Sequence, residues 1–152
     1  MPKINDRFLR GLTGGLIAGT CKDLPDIFLV DLFKIKHLAF WDYVGEMILN
    51  QIPKSLSDHI LAFIIEVAFS LGLGIIYSII VIPAFPSKHY LVRGMIYGSA
   101  CWFILMSLIK LFHISSLFVF DKFTPLATLF LSAVYGLMLA FLDKYFAPPK
   151  GA

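Results

Sequence analysis

The chain has 152 residues, 59% hydrophobic and 15% charged, with 15 phenylalanines and a net charge of +3. A water-soluble domain carries about a quarter charged residues and under half apolar ones, so lipid must be the solvent for most of this surface. The charge is modest and spread along the chain, which argues against nucleic acid as a partner, and the loops hold no Lys/Arg tract dense enough for a dedicated anionic-lipid site.

The first apolar segment spans about 8–33. Lys3, Arg7 and Arg10 precede its apolar run Gly11 to Cys21 in the manner of a signal peptide, and AGTC at 18–21 loosely mimics a lipoprotein cleavage box. Thr20 is too bulky for that box, glycines interrupt the apolar run, and three more hydrophobic segments follow, so an uncleaved first membrane helix is expected. In its middle stand Lys22, Asp23, Pro25 and Asp26. A helix over 8–33 would measure about 39 Å, enough to span with a kink at Pro25. In that helix Lys22 and Asp26, four residues apart, share a face. The other reading makes KDLPD a surface turn between two half-length helices.

The stretch 39–52 places Phe40, Trp41, Val44, Met47, Ile48 and Ile52 on one side, with Asp42, Glu46, Asn50 and Gln51 mostly opposite. This pattern predicts a short amphipathic helix lying in the interface, or else one packed on the end of a bundle. The segments 59–85, 92–112 and 123–146 are long and apolar enough to cross a core of about 30 Å as helices. Ser55, Ser57 and Asp58 supply an N-cap for the first of them, and Pro83 and Pro86 close it.

Small residues recur every four positions in these segments: Gly11, Gly15 and Gly19; Ser70, Gly74 and Ser78; Gly94 and Gly98; Ser132, Gly136 and Ala140. Such ridges let backbones approach closely where lipid provides no hydrophobic drive. They point to one compact bundle, and leave open whether each ridge meets a partner in this chain or in another. With four spans, one side carries Lys3, Arg7, Arg10, Lys88, Arg93, Lys144 and Lys150, and the other Lys34, Lys36, Lys54, Lys110 and Lys122. The excess favours cytoplasmic termini.

Rise per residue and alternating direction fix relative depths. Lys22 lies about 21 Å above the inner start of its helix, and Glu66 roughly 20 Å above the same side. An intramembrane polar cluster of Lys22, Asp23, Asp26, Glu66 and Lys110 follows, with Glu66 the sharpest anomaly because no other charge stands between Ile60 and Phe85. It reads either as a water-accessible site for a proton, cation or small polar solute, or as a network that fixes helix register.

Cys21 and Cys101 form no metal-ligand spacing with any histidine, and no hydrolase, phosphate-loop or metalloprotease motif occurs. No enzyme, cofactor or metal is expected. The stretches RGLTGGLIAGT, FWDYVGEMI, EVAFSLGLGIIYSIIVIP, SKHYLVRGMIYGSACWFI and SAVYGLMLAF, in this order, resemble small four-helix membrane proteins of Firmicutes-type bacteria, loosely similar to the YqhR and YagU groups. The resemblance implies a bacterial plasma-membrane bundle and carries no activity. The expected fold is an all-α, four-span membrane bundle forming one domain, with an interfacial helix after the first span. The first expected function is that of an accessory protein, associating with itself or a membrane protein partner through its small-residue faces. The alternative is a minimal transporter or channel component using the charged cluster.

Overall fold

A computed structural model describes residues 3–27, 39–49, 51–112 and 123–148. These residues form five helices and no strand: α1 (Arg7–Ile27), α2 (Phe40–Leu49), α3 (Leu56–Ala84), α4 (Tyr90–Leu111) and α5 (Phe123–Phe146). Residues 28–33 of the expected first span and the turn at 114–122 lie outside the described residues.

Two of the starts have a clear local cause. The Asp6 carboxylate accepts the Phe8 N–H at 2.8 Å and opens α1. Ser55 and Asp58 exchange side chain-to-backbone bonds in a capping box that opens α3. Near the other end of α3, Tyr77–Val81 widens into a π-turn, in which the Ile82 N–H reaches back to the Tyr77 carbonyl. Pro83 explains the change: it has no N–H for the carbonyl four residues back, and its ring crowds that carbonyl. The wider turn leaves the consecutive residues Tyr77 and Ser78 both buried.

Helices α3, α4 and α5 are long and apolar enough to cross a membrane. Their outer faces fit that solvent, since Ile64, Ile104 and Phe130 are 58%, 61% and 66% exposed. Helix α1 packs against α3 and α5, α4 against α5, and α2 against α3.

The small-residue ridges set these pairings. A Cβ on Gly11 would lie 2.6 Å from the Gly74 carbonyl oxygen, and one on Gly15 would lie 2.6 Å from that of Ser70. Gly19 closes the same seam against the Ser70 side chain. In the second seam, side chains on Gly94, Gly98 or Gly136 would collide with facing backbone, Gly94 and Gly136 with each other. Thus the ridges of α1 and α3 zip together, and those of α4 and α5 do the same, all within one chain. Between α3 and α4 the contact is largely through side chains: the Tyr97 hydroxyl donates to the Leu73 carbonyl at 2.7 Å.

Helix α2 departs from its expected polarity. Asp42, Tyr43, Gly45 and Glu46 are buried, whereas Met47 and Ile48 are exposed. Phe40 is buried as well, so the face that meets the bundle mixes aromatic with acidic side chains, and the helix packs on the bundle as the second of the two readings expects.

Candidate functional site

The KDLPD stretch is helical, and Lys22, Asp23 and Asp26 are 4%, 3% and 0% exposed, so the surface-turn reading fails. Pro25 sits within the last turn of α1, exposed beside Leu24, while the three charged side chains point inward. The period of the helix places the apolar and charged residues of this stretch on opposite faces.

Lys22 is the centre. Its Nζ lies 2.7 Å from Asp23 Oδ1 and 2.7 Å from Glu66 Oε1, and stands 3.8 Å above the centroid of the Phe40 ring. Glu66, 3% exposed on α3, also accepts the Ser70 hydroxyl at 3.1 Å. The second oxygen of each carboxylate, Asp23 Oδ2 and Glu66 Oε2, is buried and has no hydrogen-bond partner among the described residues. One ammonium therefore serves two carboxylates, and the group is one positive charge short of neutrality. In a low-dielectric interior that deficit is costly unless a proton or a cation fills it.

Asp26 does different work. Its Oδ2 accepts the Phe40 N–H at 2.7 Å and so ties the end of α1 to the start of α2, where the helix dipole favours a negative charge. Asp42 accepts the Ala39 N–H at 2.7 Å in the same corner. Burial, and then the charges of Asp26 and Asp42, push the Tyr43 phenol up to about 12, so it stays neutral at physiological pH. Beside the Lys22 group lies a cavity of about 40 Å³, bordered by Phe40, Glu66, Ser70, Trp102 and Tyr135, with room for a water or a small ion.

Lys110 does not join the cluster. Ile109 is buried against Tyr43, and the next residue round the helix therefore turns outward, where Lys110 is exposed. Among the described residues no ion pair links it to Asp23 or Glu66, whose partner is Lys22. The glycines named from the sequence, Gly11, Gly15, Gly19, Gly74, Gly94, Gly98 and Gly136, pack helices, and Gly98 also borders the small cavity beside Lys22 and Glu66. No group of three or more metal-ligating side chains occurs among the described residues.

Two features escaped the sequence reading. Asp42 and Glu46 sit four apart on α2, a spacing that places both on one helical face, and that face is buried. At the opposite end of the bundle Asp143 accepts the Ser78 hydroxyl at 2.6 Å and lies 3.6 Å from Arg10 Nε. The depth argument used for Lys22 and Glu66 also pairs Arg10, one turn into α1, with Asp143, one turn from the end of α5.

The chain matches no protein-family model, no curated protein sequence and no solved structure.

Proposed function

We propose that the protein is a four-span integral membrane protein whose Lys22, Asp23 and Glu66 form an intramembrane ion site, and that it serves as a small transporter or channel component for a proton or monovalent cation. The observation that carries this reading is the pair of buried, half-satisfied carboxylates around a single lysine, with a small cavity beside them. Its support as a fourth span comes from the length of α1: its 21 residues give a helix of about 32 Å, matching the hydrocarbon core. In this reading the termini lie in the cytoplasm of a bacterium, as the basic residues and the resemblance to small Firmicutes-type membrane proteins imply. Four helices leave little room for alternating access within one chain, so a homo-oligomer belongs to the proposal.

The accessory reading relied on small-residue faces offered to a partner. Those faces close on one another inside the chain, which leaves association to some other surface and lowers that reading to second place.

The test is flux in proteoliposomes. Wild-type protein should pass protons, or sodium or potassium ions, down an imposed gradient, and Glu66→Gln should cut that flux at least tenfold while the protein still purifies as a folded, monodisperse species. Equal flux from both proteins, or none from wild type with any of the three ions, overturns the proposal.

A further inference from the structure

A second site lies at the opposite end of the bundle. There the seam between α3 and α4 opens into a groove of about 920 Å³, lined by Val81, Phe85, His89, Val92, Arg93 and Ile96 among others. Its apolar walls face outward: Phe85, Val92 and Ile96 are 67%, 54% and 64% exposed, so the groove is continuous with the lipid-facing surface. From His89 to Tyr97 it runs along eight residues of α4, about 12 Å of helix.

Arg93 sets its chemistry. The buried cations Arg10 and Lys22 have acids of their own, Asp143 for the first and Asp23 and Glu66 for the second, whereas Arg93 is half-buried. Arg93 has only neutral acceptors: its Nη1 donates to the Phe85 carbonyl at 2.9 Å and its Nε to the Tyr77 hydroxyl at 3.4 Å. Among the described residues no carboxylate pairs with it. Two bonds leave several of the five guanidinium N–H donors for an oxyanion, and the planar fork suits phosphate. Lys88 and His89, both exposed, add positive or titratable groups at the mouth.

We propose that this groove binds an anionic phospholipid of the surrounding bilayer, its phosphate on Arg93 at the mouth and an acyl chain along Val81, Val92 and Ile96. The chain has no basic tract; recognition instead comes from one arginine with no counter-ion among the described residues, held beside an apolar trough of about 920 Å³. The bilayer is the source because the exposed walls open sideways into lipid. This end also gathers the start of α1, the turn between α3 and α4 and the end of α5, where Lys144 lies 4.1 Å from the centroid of the Tyr90 ring.

Competitive lipid retention on the purified full chain tests the proposal. Wild-type protein in neutral detergent should retain phosphatidylglycerol at least tenfold over phosphatidylcholine, and Arg93→Gln should bring that ratio close to one. His89→Glu, an exposed position where folding is not at stake, should lower phosphatidylglycerol retention and leave phosphatidylcholine unchanged. Equal retention of the two lipids by wild type, or a preference that survives both substitutions, overturns it.

Discussion

Lys22 makes the charge balance of the site concrete. Its ammonium touches two carboxylates at 2.7 Å each, with side chains 5% exposed or less on every side of both pairs. Removing one partner from a buried pair typically costs about 3–5 kcal/mol, because the remaining charge is stranded, whereas removing both sides costs far less. Lys22→Met should therefore lower the unfolding midpoint in detergent steeply, by the equivalent of about 3 kcal/mol or more, and adding Asp23→Asn and Glu66→Gln should recover most of the loss. An unchanged midpoint in the single variant would show that Lys22 does not hold these carboxylates together.

Among the elements, the α1–α3 seam shows how much depends on which face of a helix a glycine occupies. Gly72 and Gly74 lie on α3 two residues apart. A Cβ on Gly74 would lie 2.7 Å from the Gly15 Cα, while one on Gly72 meets nothing within 4 Å. Overpacking of this kind costs about 1–3 kcal/mol, and in this seam it would also pull Lys22 away from Glu66. Gly74→Ala should lose stability by that amount, while Gly72→Ala should stay within about 0.5 kcal/mol of wild type. Matching unfolding midpoints for the two variants would contradict the seam. The same reasoning applies to α2, whose buried Asp42 and Glu46 make sense only against a polar corner of the bundle.

At the scale of the molecule, the topology follows from α1. Contacts tie the two ends of the chain: the Ile4 N–H donates to the Phe146 carbonyl at 3.0 Å and Lys3 to that of Tyr145 at 2.9 Å, a cation at a helix C-terminus. If α1 spans, the N-terminus and the α3–α4 turn share one side, and the α2–α3 corner lies on the other. Single cysteines at Asn5, Ser57 and Ser87, in a chain with Cys21 and Cys101 replaced, should label accordingly with an impermeant maleimide on intact cells. Asn5 and Ser87 should behave alike and Ser57 oppositely; Asn5 labelling together with Ser57 would rule out a fourth span.

Solvent class and helix content were legible in the residues, because the hydrocarbon thickness and the rise per residue translate apolar runs directly into helices of a given length. The juxtaposition of Lys22 with Glu66 was legible for the same reason, since depth is a one-dimensional coordinate that alternating helices share. Rotation about each helix axis is not such a coordinate. It is set by which ridges zip together, and that depends on backbone approach between segments distant in sequence. For this reason only the tertiary structure decided that KDLPD faces inward, that Lys110 faces out, that α2 turns Asp42 and Glu46 toward the bundle, and that Arg10 meets Asp143 while Arg93 is left beside an open groove.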